Sequence, residues 1–226
     1  MAGFVLTVGL WRIGATYLIL PLAIGFMLLG PALTLGFQAI SRDLERNEHP
    51  SFSRALLAWR ANPASIFNFG MAFACFFLLW IWLAQLVFDH SFPPATEMDP
   101  QRVLNAILFT VDGLTFLTLL LVLGAVMATL AFAAGAFAIP MLLDRKVDII
   151  EAMATSITAV ILNLPAMIVW AAILVVLTAA GMALFYVGLV VTLPLAGYAT
   201  WHAYRAVIAS ERIPGSSPSI KEKGSE

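Results

Sequence analysis

Charge is what this chain lacks most. From Ala152 to Tyr204 it runs 53 residues without one Asp, Glu, Lys or Arg, and charged side chains make up only 11% of the whole, against roughly 25% in an ordinary soluble domain. As helix, that stretch would be about 80 Å long at ~1.5 Å per residue. The hydrocarbon core of a bilayer is only about 30 Å thick. The segment must enter, cross, turn and cross back, which excludes a water-soluble globule. Cysteine is nearly absent as well. The single Cys75 lies in an apolar run, so no disulfide framework or cysteine metal cluster can form within one chain, and it reads as packing. HExxH, GxSxG, a phosphate loop and paired carboxylates at lipid depth are all missing. The chain is therefore expected to be non-enzymatic and to carry no cofactor. Its net charge of −1 supplies no basic field for nucleic acid. The expected partners are membrane lipids, and another membrane protein or a second copy of the chain.

What is present is hydrophobic sequence, 62% of the residues, enough for a compact helical bundle in lipid. Residues 2–11 (AGFVLTVGLW) are apolar from the start, with no basic region ahead of them, which argues against a signal peptide. They are too few to span, and read as the last turns of a helix whose beginning is missing, or as a short interfacial segment. The first full span is about Ile13 to Ile40, kinked near Gly30-Pro31. A polar stretch at 41–50 follows, then SFSRALLAWR at 51–60. There Phe52, Ala55, Leu56 and Trp59 share one helical face and Ser53, Arg54 and Arg60 lie off it, the pattern of a helix lying at the membrane surface. Asn62-Pro63 opens a second span, roughly Ala64 to Phe88. An acidic loop (89–102) and a short surface helix near 101–111 lead to a third span, about Leu114 to Leu142, kinked at Pro140. After the charged turn LDRKVDIIEA comes an amphipathic piece at about 148–162. Asn163-Leu164-Pro165 opens a fourth span. Ala180-Gly181 is the best turn, and a fifth span runs from about Met182 to Tyr204.

The expected fold class is thus all-α: a polytopic transmembrane bundle of five full spans and a partial N-terminal helix. It forms one domain over 1–209, with a disordered polar tail over 210–226. Ten of the twelve basic residues fall on one side, in 41–62, 144–150 and the C-terminus. The positive-inside rule makes that side cytoplasmic in a bacterial inner membrane, with the C-terminus inside. Two stretches share one plan of span, charged turn, surface helix, Asn-Pro or Asn-Leu-Pro, and span, so two parallel repeats are expected.

Several constellations carry a bland and a sharper reading. On the third span, Gly124, Ala128, Ala131, Gly135 and Ala138 are spaced 4, 3, 4 and 3, a small-residue stripe that lets helices approach. It reads as the central packing face, with a homodimer seam as the alternative. Arg42, Asp43, Glu45 and Arg46 close the first span, Asp144 and Arg145 close the third, and His202 and Arg205 end the last. Together they form a candidate cytoplasmic polar cluster, either ion pairs that fix the turns or a lining for a vestibule or lipid headgroup. Trp201, His202, Tyr204 and Arg205 read as an aromatic belt with a basic anchor. A bis-His haem would need a second histidine at membrane depth, and His49 and His90 lie in opposite loops. Asp112 reads as an N-cap at the outer interface rather than a proton relay. Asn68, Gln85, Thr118, Thr129, Thr178 and Thr192 read as interhelical hydrogen-bonding groups.

The segments GFMLLGPALTLGFQAISRDLE (25–45), IPMLLDRKVDIIEAMATS (139–156) and LPLAGYATWHAYRAV (193–207) resemble a bacterial integral membrane family designated domain of unknown function 2189. The resemblance spans about Trp11 to Ile208. It implies a six-helix inner-membrane protein with no established activity, and against that pattern this chain lacks the N-terminal segment and most of the first helix. Three functional readings follow. The first is a non-enzymatic scaffold or accessory subunit, and the alternative is a small transporter or lipid-handling protein. A haem- or oxidase-associated protein comes third.

Overall fold

In hydrocarbon no water is available to satisfy backbone N–H and C=O groups, so each apolar stretch must satisfy its own as helix. The computed structural model describes residues 8–10, 12, 18–19, 21–23, 34–92, 100–184 and 187–209, and among these no strand occurs. Helical pieces at 8–10 and 21–23 precede α1 (Leu35–Glu45), α2 (Phe52–Leu56), a 3-10 turn (Ala58–Ala61), α3 (Pro63–Ser91) and α4 (Pro100–Phe109). Next come α5 (Val111–Gly135), α6 (Ala138–Asp144), α7 (Ile149–Leu162), α8 (Leu164–Ala183) and α9 (Leu189–Tyr204), closed by a wide turn over Arg205–Ala209. Among the described residues three helices are long and apolar enough to cross a membrane: Pro63–Ser91, Val111–Asp144 taken through α6, and Leu164–Ala183. The expected first span, Ile13 to Ile40, lies mostly outside the described residues, as do the tail 210–226 and part of the 89–102 loop.

The first helix does not stop where its apolar run stops. α1 continues past Ile40 through Arg42, Asp43 and Glu45, which puts these charges on a rigid helix. It ends because Asn47 turns left-handed, at φ 56°. The N–H of Asn47 then donates to Leu44 O at 3.1 Å and that of Glu48 to Asp43 O at 2.9 Å, which satisfies carbonyls the helix would orphan.

The expected surface helix at 51–60 is broken into α2 and the 3-10 turn. Ser51 caps α2 by accepting from Arg54 N at 3.2 Å, and Phe52, Leu56 and Trp59 remain exposed. α3 starts with Pro63 at a position where the missing N–H costs nothing. Asn62 Nδ2 and Ser65 Oγ both donate to Val147 O, at 2.7 and 3.0 Å, tying this start to the segment before α7. Further along, Trp80 is fully buried and its Nε1 donates to Pro21 O at 2.7 Å. At the far end Phe88, Phe92 and Phe116 join α3 to α5, with the Phe88 and Phe116 rings edge-on at 5.7 Å.

Three boundaries differ from the sequence expectation. Thr110, not Asp112, caps α5, its Oγ1 accepting from Gly113 N at 3.0 Å. Asp112 is exposed in the first turn, where a carboxylate suits the helix dipole. α8 does not turn at Ala180-Gly181 but runs on to Ala183, and turn residues follow at Leu184 and at Val187-Gly188. Gly181 is instead a buried contact, since a Cβ there would sit 2.5 Å from Thr192 Oγ1 and 2.8 Å from Leu189 Cδ2. The break in the third span lies at Ala136-Phe137, one turn before Pro140. Proline has no N–H for the carbonyl four residues back, and its ring crowds that carbonyl, here the carbonyl of Ala136. Ser156 of α7 bridges the gap. Its Oγ accepts from Phe137 N at 3.1 Å and donates to Ala133 O at 2.8 Å, the two groups that a continuous helix would have joined.

α7 itself is inverted relative to a helix on water. Its buried face is Ala152, Ser156, Ala159 and Val160, while Ile150, Ile157, Ile161 and Leu162 point outward. Bulky apolar groups outside and small or polar groups inside suit a lipid environment, and the polar Glu151 and Thr158 are exposed beside them.

Removing the Ser156 hydroxyl orphans two buried backbone groups. Ser156→Ala should cost roughly 1–3 kcal/mol, measured by thermal unfolding in detergent. In a Pro140→Ala background Phe137 can rejoin the helix, so the same change should cost less. Equal cost in both backgrounds would refute the bridge.

Candidate functional site

Three helix C-termini converge at the charged end of the bundle: α1, α6 and α9. α9 lies close against α1 because Gly197 leaves room, and a Cβ there would fall 2.6 Å from Phe37 Cβ. α6 packs against both. This places Asp144, the last residue of α6, among side chains from the other two helices. Its Oδ2 accepts from Tyr204 Oη at 2.9 Å, and its Oδ1 accepts from Arg46 Nη2 at 3.2 Å. Arg145 Nε and Arg205 Nη1 stand at 3.8 and 4.0 Å. Glu45 accepts from Trp201 Nε1 at 2.8 Å and pairs with Arg205 Nε at 2.7 Å. Asp43 is only 2% exposed. It accepts from Arg42 Nη2 and Nε at 3.1 and 3.3 Å, and Arg54 Nη1 of α2 stands at 3.5 Å. Arg42 also donates from Nη1 to Leu143 O at 3.0 Å, one of the carbonyls left open at the end of α6. Arg54 further pairs with Glu48, whose carboxylate raises the arginine's already high pKa.

The arrangement is a clasp. Arginines sit at helix C-termini, where cations suit the dipole, and Glu45 and Asp144 are each shared between elements distant in sequence. Of the expected cluster, Arg42, Asp43, Glu45, Arg46, Asp144, Arg145 and Arg205 are brought together. His202 is exposed and takes no part in these bonds. It follows Trp201 directly, so it lies about 100° round the helix from that buried residue. Two members escaped the sequence reading. Trp201 and Tyr204, expected in an aromatic belt, are 1% and 0% exposed and donate into the clasp. The signal for them was the spacing Gly197, Trp201, Tyr204, Ile208, one face of a helix. A Trp or Tyr on a buried face needs an acceptor.

The second feature is an apolar cavity of about 440 Å³ between α5, α8 and α9, with Val160 of α7 also in its wall. α8 packs on α9 and, more lightly, on α7. Of its residues only Met167 and Gly181 are buried. Its wall of the cavity is Leu164, Met167, Ile168, Trp170, Ala171, Leu174, Val175 and Thr178. From α5 come Ala125, Ala128, Thr129, Ala131, Phe132 and Gly135, and from α9 Leu193, Ala196 and Thr200, with Thr34 at the foot of α1. No charged residue is among them. Thr129 and Thr200 spend their hydroxyls on their own helices, donating to Ala125 O and Ala196 O at 2.8 and 2.7 Å. The indole N–H of Trp170 has no acceptor among the described residues.

The small-residue stripe is therefore divided in its surroundings. Gly124, Ala131, Gly135 and Ala138 are buried and Ala128 is half-buried, and Ala128, Ala131 and Gly135 border the cavity. On that side the small side chains leave space that no described helix fills.

The clasp predicts a graded response. Asp144→Ala should destabilise the bundle by about 3 kcal/mol, because it leaves Arg46 and Tyr204 without their acceptor. Tyr204→Phe should cost about 1 kcal/mol, and His202→Ala less than about 0.5 kcal/mol. Thermal unfolding in one detergent ranks them, and a loss at His202 matching that at Asp144 would contradict the arrangement.

No curated protein and no solved structure matches this chain. A family profile described as predicted integral membrane protein (DUF2189) matches residues 19–144. The match takes in the clasp residues of α1 and α6 but ends before α7, so the 193–207 segment that contributes to the resemblance lies beyond it. It covers more than half of the sequence, and the chain belongs to the DUF2189 family of predicted integral membrane proteins.

Proposed function

We propose that this is a non-enzymatic protein of the bacterial inner membrane that acts as a scaffold or accessory subunit, with the clasp at its cytoplasmic face. The observation that carries the reading is the clasp itself. Its carboxylates, Asp43, Glu45 and Asp144, are each held by arginine at 2.7–3.2 Å. An acid or base already bound to a cation is poorly placed to exchange protons with a substrate, whereas a rigid charged platform is well placed to hold a partner. Around it stand the exposed Arg60 and Lys146 and the exposed apolar side chains of α2. The partners on this reading are membrane lipids and another membrane protein, or a second copy of the chain.

Five spans in two parallel repeats, with the C-terminus inside, fit the same picture. The two halves use one local device, a short helix with a side-chain cap: Ser51 on α2, and Asp148 on α7, which accepts from Glu151 N at 2.8 Å. Each short helix leads into a span that begins at an asparagine and a proline. A second reading, lipid handling, is favoured by one specific observation, the uncharged cavity inside the bundle.

Two experiments test the first reading. Cysteines placed at Ser51, which caps α2 ahead of α3, and at His90, in the last turn of α3, should react with impermeant reagents from opposite membrane faces, Ser51 from the cytoplasm. Labelling from one face would overturn the threading. Purified gently from native membranes, the protein should bring a second membrane protein in fixed ratio, and Arg60→Glu with Lys146→Glu should release it. A chain that comes away alone with its bundle intact would end the scaffold reading.

A further inference from the structure

We propose that the cavity between α5 and α8 takes a single acyl chain of a membrane phospholipid, inserted sideways from the bilayer with the headgroup left outside. The inference rests on the lipid-handling reading and goes beyond it to the occupant.

Continuity with the lipid-facing surface comes first. Ala125 and Thr129 on α5 and Ile168 and Val175 on α8 border the cavity, yet all four are exposed on the outside of the chain. In an integral membrane protein that outside is hydrocarbon, so the mouth opens to lipid rather than to water. Size comes second. At the ~30 Å³ that a water molecule occupies in the liquid, 440 Å³ holds on the order of fifteen carbon-sized atoms. That is about the size of one hydrocarbon chain. Shape agrees, because the α5 wall from Ala125 to Gly135 extends about 15 Å along the helix at ~1.5 Å per residue. One leaflet of a ~30 Å hydrocarbon core is equally deep, about 15 Å.

Chemistry decides what stays out. Among the described residues no cation lines the cavity to receive a phosphate, the Thr129 and Thr200 hydroxyls already bond their own helices, and the Trp170 indole N–H is left as an uncharged donor in the wall. A polar or charged cargo would lose its hydration without replacement. A headgroup therefore remains at the interface and only its chain enters. The wall can yield, since α8 buries little of itself against its neighbours.

Trp170 in the wall supplies the readout. The full chain is placed in nanodiscs of unlabelled phospholipid and titrated with phosphatidylglycerol brominated along one acyl chain. Trp170 emission is isolated by difference from the Trp170→Phe protein. Quenching should saturate well below the level reached by randomly mixed surrounding lipid. Ala128→Phe, which puts a ring into the space, should weaken it by at least about tenfold, since even one methylene is worth ~10–200-fold in such a pocket. Leu174→Ala, which enlarges the space, should retain it, so a misfolded Ala128→Phe protein cannot by itself account for the result. Quenching that stays linear with bulk lipid and ignores Ala128→Phe would overturn both the occupant and the lipid-handling reading. Saturable quenching by a brominated fatty acid but not by the phospholipid would overturn the phospholipid and leave lipid handling standing. Protection of Trp170 that appears only in crosslinked dimers would assign the space to a second copy and overturn the proposal.

Discussion

Apolar contact between helices gains little when the surrounding solvent is itself hydrocarbon. A bundle in lipid is therefore held by close packing and by the few polar contacts that have no better partner outside. Here those contacts are sparse and placed where the chain would otherwise come apart. Ser156 closes the interruption that Pro140 forces on the third span. Trp80 reaches the carbonyl of Pro21, and Asn62 and Ser65 share that of Val147. The clasp joins α1, α6 and α9 at the charged end. Each spans a long separation in sequence, which fixes helices relative to one another rather than merely stabilising one.

The distribution of these contacts is uneven, and the unevenness bears on function. The clasp end is dense with charge and hydrogen bonds. The α8 side has almost none, its packing being left to Gly181 against α9 and to a light contact with α7. The cavity lies on that looser side. A rigid end for holding and a loose flank for admitting hydrocarbon are compatible in one molecule. The scaffold reading and the lipid reading thus describe different parts of the bundle.

Much of the fold was legible from residue order, because length and absence of charge are all that a lipid solvent asks of a span. The long helices around Phe69 to Phe88, Leu114 to Leu142 and Leu164 onward are found close to where hydropathy puts them, and Asn62-Pro63 opens α3 as expected. The misplacements have separate causes. Gly181 was read as a turn because glycine breaks helices in water, but between two lipid-embedded helices it is a point of contact. Pro140 was read as the kink itself, yet the disruption falls on the carbonyl four residues earlier.

Of the candidate site, the sequence alone determined which residues carry charge and that they gather near the ends of spans, since charge is tolerated only there. It also determined the environment, because 53 uncharged residues leave no other. Only the tertiary structure decided that Trp201 and Tyr204 donate to Glu45 and Asp144 while His202 stands aside. That choice depends on the rotation of α9 about its axis, which the close approach at Gly197 sets. The cavity, too, belongs wholly to the tertiary level: its lining is ordinary membrane-helix sequence, and the space exists only because α8 is positioned by α9 and α7 rather than by α5.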